Sequence, residues 1–184
     1  SHFSPHTAVR DIALFDKLAD DRDIAMDFFH PEQAEGNIIR LRVFHRGAEL
    51  TLSSMVPMLE NLGFQVVGEH PYPLTPKNQT PVWGHDFSLE FNLDLDIDAP
   101  AVSQNFIDAF NAVWNGQIDD DSFNWLVVGA RLDWRSVALI RVYARYMKQL
   151  GIAISQEFIA ATLVNNLEIT RDLIALFKSR FDPR

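Results

Sequence analysis

Apolar residues recur along this chain with two periods, and the change from one to the other divides it. Over Trp83 to Ile97 they alternate, with His85, Phe87, Leu89, Phe91, Leu93, Leu95 and Ile97 on one side. Asp86, Ser88, Glu90, Asn92, Asp94, Asp96 and Asp98 lie on the other. A period of two belongs to a half-buried strand. Ile38 to Arg46 alternates in the same way, Ile39, Leu41 and Val43 opposing Arg40, Arg42 and Phe44. Ile24 to Phe29 and Phe64 to Glu69 read as two shorter strands, the second followed by a loop through His70-Pro71-Tyr72-Pro73 and the polar Thr75 to Thr80. Two helices sit among the strands. One is a short amphipathic helix over Pro5 to Leu18. The other is capped by Thr51 or Ser53, turns Leu52, Met55, Val56, Leu59 and Leu62 inward and ends at Gly63.

From Asp98-Ala99-Pro100 onward the period is helical. A helix from Ala101 carries Phe106, Ile107, Phe110, Val113 and Trp114 inward and ends at Gly116, and further helices are expected at about 121–131, 134–150, 155–165 and 168–180. Trp134 to Leu150 is apolar around so much of its circumference that it is expected inside a helical cluster, with Trp134 buried. Asp133 stands at its N-cap and Gly151 at its end. Arg141, Arg145 and Lys148 form a stripe with two readings, a solvated basic face near the helix C-terminus or a dock for an acidic neighbour in a larger assembly. The order of elements predicts an α+β fold: a small antiparallel sheet with helices on one face over 1–116, then an all-helical segment over 117–184.

Charge and chemistry narrow the function. A net charge of −9 and a pI near 5.0 argue against a nucleic-acid partner, because phosphate binding needs a basic face. No apolar run reaches the ~20 residues of a membrane span. The absence of cysteine suits a cytoplasmic protein. The start at Ser1, without methionine, and the stop at Arg184 suggest a piece of something longer. The eight glycines never form the G-x-G-x-x-G turn of a dinucleotide site, and no P-loop or G-x-S-x-G elbow occurs. Asp94-x-Asp96-x-Asp98 starts like a calcium loop but lacks the glycine at its sixth position. The six histidines show no metal spacing, although His45 and His85 lie on strands that can pair. No catalytic, cofactor-binding or metal-binding residue is assigned. Arg40 and Arg42 share a face, and either form cross-strand ion pairs with Asp86 and Glu90 or, with Phe44, meet another domain.

Several long strings carry a resemblance. They are Pro57-Met-Leu-Glu-Asn-Leu-Gly-Phe-Gln-Val66, Trp83-Gly-His-Asp-Phe87, Phe123-Asn-Trp-Leu-Val127, Leu132 through Tyr146, and Leu176-Phe-Lys-Ser-Arg-Phe-Asp-Pro183. In these the chain resembles the large NAD-specific glutamate dehydrogenases of bacteria, in the region ahead of their catalytic domain. It departs at Trp125, where arginine is expected, and at Ser122, where glycine is expected.

The resemblance implies an ACT-like (ferredoxin-like) regulatory domain followed by a helical segment, with the catalytic lysine and the NAD-binding fold beyond residue 184. The segment itself would hold no cofactor, and NAD would belong to the parent enzyme. Its partners would be the remaining domains of the parent chain, in a homo-oligomer. A stand-alone ACT-like module that senses an amino acid or binds a protein is the alternative. The resemblance offers the loop His45 to Thr51 as an effector site, the other reading being that Gly47 only makes a turn, Arg46 is solvated and the sheet serves as an interface. On the first reading Gly47 would admit the ligand, Arg46 would take its carboxylate, and the following helix N-terminus would favour an anion. Arg40, Arg42, Arg141 and Arg145 are the remaining candidates for an effector or an interface.

Overall fold

The computed structural model describes residues 5–15, 18, 24–31, 38–74, 80–91 and 100–181. Its elements run α1 (Pro5–Phe15), β1 (Ile24–Phe29), β2 (Ile38–Arg46), α2 (Leu52–Asn61), β3 (Phe64–Leu74), β4 (Val82–Phe91), α3 (Pro100–Trp114), α4 (Trp125–Gly129), α5 (Trp134–Gln149), α6 (Gln156–Val164) and α7 (Leu167–Phe181). The fold is α+β, as the periods predict. Two compact units divide the chain, one formed by Ser1–Val56 with Gln65–Phe91 and the other by Pro57–Phe64 with Asn92–Arg184, so the division falls within α2.

The first unit is built on a four-stranded sheet in the order β1-β2-β4-β3, in which β2 is antiparallel to both β1 and β4. β2, α2 and β3 form a split β-α-β unit with β4 inserted between its strands, the ferredoxin-like arrangement that the resemblance implies. The strand flanking β2 is β1, which comes before the unit in the chain. Pairing of Leu41 with Phe87 and of Phe28 with Leu41 puts Met26, Phe28, Ile39, Leu41, Val43, Phe87 and Leu89 on one buried face. Arg40, Arg42 and Phe44 fall on the opposite face, as alternation requires. That face has its own cover. Leu14 of α1 and Leu18 pack with Ala25, Phe44 and Val82, and Tyr72 and Leu74 close the cluster.

β3 continues through His70-Pro71-Tyr72-Pro73 to Leu74, where a loop is expected from sequence. It is an edge strand, and an edge tolerates proline because the missing N–H costs a ladder bond only on a paired side. The extension has a purpose in packing, since the Tyr72 ring meets Phe44 edge-on at 6.1 Å and lies over Gly84. A Cβ at Gly84 would come within 2.5 Å of that ring, so only glycine fits there. Asp94 to Asp98 lie outside the described residues.

The second unit gathers Phe106, Phe110, Phe123, Leu126, Val127 and Val137 into a helical core, with Phe64 edge-on to Phe106 at 5.4 Å. The helix expected at about 121–131 is a 3-10 turn over Ser122–Asn124 followed by the short α4. α5 begins as predicted, with the Ser136 amide donating to Asp133 at 2.9 Å, and it ends at Gly151 (φ 80°). It is not enclosed, however. Val137, Arg141 and Ala144 are buried, whereas Val142, Tyr143, Tyr146 and Leu150 are exposed and Trp134 is half-buried under the guanidinium of Arg135. The expectation of a fully buried helix fails because α5 carries two apolar stripes, and only one of them meets the unit's own core.

Candidate functional site

Arg40 and Arg42 alternate on β2, so both point to the face that α1 partly covers. Arg40 stands opposite Ser88 and Arg42 opposite Asp86. Arg40 reaches diagonally to Asp86, donating from Nε to Oδ1 at 2.9 Å and from one terminal nitrogen to Oδ2 at 2.5 Å, and its other terminal nitrogen donates to the Ser88 hydroxyl at 2.7 Å. Arg42 donates to Asp11 of α1 at 2.8 Å, approaches Asp86 to 3.8 Å, and lies 5.3 Å from the centre of the Phe29 ring. Both guanidiniums are thus matched by carboxylates of their own unit, Arg40 in the forked geometry that suits arginine better than lysine and Arg42 through a single bond to Asp11. Glu90 stands opposite Ile38 instead.

These residues border a cleft of about 280 Å³, which Gly68, Glu69, His70 and Tyr72 line from β3. Burial pushes the Asp11 carboxyl above its usual range, and the neighbouring Arg42 pulls it back only in part. Burial also pushes the Tyr72 phenol up to about 12, with the negative charges of Asp11 and Asp86 adding to the effect and Arg42 opposing it.

The loop after β2 is bound more tightly than an open ligand loop would be. Gly47 adopts φ 95°, its amide donates to the Pro81 carbonyl at 2.8 Å, and His45 Nδ1 donates to the Ala48 carbonyl at 2.8 Å. Arg46 donates to the Leu18 carbonyl at 2.5 Å. Gly47 therefore serves the turn, and Arg46 ties α1's exit to the end of β2.

His85 and His45 lie on paired strands, as the sequence allows, but His85 stands opposite Val43 and His45 opposite Trp83. His85 is buried on the apolar face, where Nδ1 donates to Glu69 at 2.8 Å and Nε2 accepts from the Leu50 amide at 3.3 Å, which assigns the tautomer. The pair joins β3, β4 and the approach to α2. Glu69 and His85 are distant in sequence, and no motif announces them. Among the described residues no group of three or more histidines or acids is placed to hold a metal ion.

In the helical unit Arg141 is buried, not solvated. Its Nε donates to Asp121 at 2.7 Å, and one terminal nitrogen donates to Asp121 at 2.7 Å and to the buried Asn124 side chain at 2.9 Å. Asp121 also caps the 3-10 turn by accepting from the Phe123 amide at 3.1 Å, and the guanidinium lies 5.7 Å from the centre of the Phe123 ring. Arg145, further out, donates to Asp119 at 2.5 Å. The acidic neighbour of this stripe thus belongs to the same unit. The two arginine sets are in different units, and the sequence resemblance becomes readable residue by residue. In Trp83-Gly-His-Asp-Phe87, Gly84 admits Tyr72, His85 holds Glu69, Asp86 holds Arg40 and Phe87 is core. Trp125, where arginine is expected, lies against Gly129, whose Cβ would come within 1.8 Å of the indole.

Comparison with known proteins agrees with that arrangement. Residues 23–102 match the family model described as glutamate dehydrogenase, ACT3 domain, and residues 118–183 match that of glutamate dehydrogenase, helical motif 3. The chain is 43% identical over 181 residues to the NAD-specific glutamate dehydrogenase of Halomonas elongata and 38% identical over 179 residues to that of Pseudomonas aeruginosa. It is 33% identical over 186 residues to that of Mycobacterium tuberculosis. These alignments cover 97–98% of the chain and 11% of each relative's length. Taken with the split β-α-β sheet and the helices after it, the matches show that the chain belongs to the glutamate dehydrogenase family, as an ACT3 domain followed by helical motif 3.

Proposed function

We propose that residues 1–184 form a non-catalytic structural and regulatory segment of a large NAD-dependent dehydrogenase that oxidises L-glutamate to 2-oxoglutarate and ammonia. NAD and the reacting groups belong to other parts of that polypeptide. The segment works in the cytoplasm among the remaining domains of its own chain and, in a homo-oligomer, their copies.

The observation that carries this reading is the pairing of its arginines. Arg40, Arg42 and Arg141 are each matched by a carboxylate within their own unit, which leaves them positioned to fix strands and helices and not to meet a substrate carboxylate. A catalytic site instead aims its charged groups at the place where substrate charge develops. Hydrogen exchange in the full-length enzyme tests the reading. Saturating NAD and 2-oxoglutarate should protect the catalytic region and leave β2, β4 and the Asp119–Asn124 segment unchanged. Protection of β2 and β4 as strong as that of the catalytic region would overturn it.

The alternative of amino-acid sensing keeps one supporting observation, the cleft beside Arg40, Arg42 and the neutral Tyr72. The same exchange experiment with single amino acids reads it directly, through slowed exchange in β3 and β4.

A further inference from the structure

We propose that His85 is a pH-sensitive latch on the entry to α2, holding the Leu50 amide while its imidazole is neutral and releasing that amide when the ring takes up a proton. The latch lies within the first unit and goes beyond the structural role proposed for the segment.

Alternation along β4 puts His85 on a face otherwise filled by Met26, Phe28, Leu41, Val43, Phe87 and Leu89. An aliphatic residue would satisfy such a position by packing alone. The imidazole is instead 1% exposed with both nitrogens engaged, Nδ1 donating to Glu69 at 2.8 Å and Nε2 accepting from the Leu50 amide at 3.3 Å. Leu50 is buried as well. The Thr51 carbonyl that follows it accepts from the Ser54 and Met55 amides at 3.0 and 3.1 Å. The bond to His85 therefore anchors the chain just where α2 is about to begin.

A neutral imidazole has one donor and one acceptor, whereas an imidazolium has two donors. As a carboxylate, Glu69 needs a donor at Nδ1, and the Leu50 amide needs an acceptor at Nε2. A proton added to the ring must then go to Nε2. It turns the contact with Glu69 into an ion pair and sets one N–H against another at Leu50. A single event thus strengthens the tie to β3 and breaks the tie to the entry of α2. A buried amide left without an acceptor is costly, so residues 48–51 must shift to give it another. Histidine is the side chain whose charge changes between about pH 5 and pH 8.

Glu69 is the carboxylate that faces the ring from β3. On β2, His45 shares the same face two residues beyond Val43 and donates to the Ala48 carbonyl. Glu49 is exposed on the connecting segment, and Glu60 stands near the far end of α2. Asp27, Arg42 and Asp86 are paired across the sheet on its other face.

Hydrogen exchange in the full-length enzyme tests the latch, with protection of residues 48–55 read against that of residues 39–43 in β2. The ratio cancels the ordinary pH dependence of exchange. Between about pH 8 and about pH 5.5 residues 48–55 should lose protection about fivefold relative to β2. In His85→Gln, which keeps a donor and an acceptor but does not titrate, the ratio should stay within about twofold. In Glu69→Gln the loss should move to lower pH, because the imidazolium has no counter-charge there. An unchanged ratio in the wild type would overturn the proposal. A loss of the same size in His85→Gln, or one that Glu69→Gln does not move, would assign the effect to His45 and equally overturn the latch. Should His85→Gln fail to fold, the wild type and Glu69→Gln decide between these outcomes.

Discussion

Arg141 shows how a charged side chain becomes a structural one. Its guanidinium is buried against Asp121 and Asn124, and Asp121 in turn caps the Phe123 amide, so one side chain fixes the entry to α4 onto the middle of α5. Removing one partner of such a buried pair leaves the other uncompensated. Arg141→Met should therefore lower the stability of the helical unit by ~3 kcal/mol, read by urea melts, while an exposed-pair change at Arg145 should cost under ~1 kcal/mol. Equal small losses at both positions would mean that Arg141 is hydrated in solution. None of this was legible in the stripe Arg141, Arg145 and Lys148, because spacing along a helix reveals which residues share a face and not what stands opposite. The partners lie about twenty positions earlier in the chain. Arg40 and Arg42 were more readable, since strand alternation placed them with Asp86, and the pairing follows.

Helix ends and strand faces are where the sequence was most informative, because local chemistry decides them. Asp133 is a clear case. Burial opposes ionisation of its carboxyl, but hydrogen bonds from the Ser136 hydroxyl and amide, with Lys178 nearby, hold it below its ordinary 3.8. A depressed carboxylate stabilises the fold above its unfolded value and loses that contribution as pH falls through the folded one. Asp133→Ala should then cost ~1 kcal/mol at pH 7, the usual value of an N-cap. The gap from wild type should narrow as pH falls below about 4, where the carboxylate protonates. A gap of the same size at pH 7 and pH 3 would show that the charge of Asp133 is irrelevant to the cap. The ends of β3 and the environment of α5 were misread for a shared reason. Prolines suggest a loop unless the strand is known to be an edge, and apolar content suggests burial unless the helix is known to have two faces.

The chain folds into two compact units, with Arg40 and Arg42 paired to carboxylates inside one and Arg141 inside the other. On the function proposed above, such a construction serves as a spacer and contact element within a larger enzyme. The family was legible because the strings that carry the resemblance hold both core and pairing residues, such as Phe87, His85 and Asp86. Which surfaces meet other parts of the polypeptide was not, since that depends on sequence outside these residues. The most direct test is the KM for L-glutamate of the full-length enzyme carrying Arg40→Met together with Arg42→Met, measured below its melting temperature. The account predicts a value within about twofold of wild type, because neither guanidinium touches substrate. A rise of about tenfold or more at unchanged kcat would place those arginines in substrate binding and contradict it.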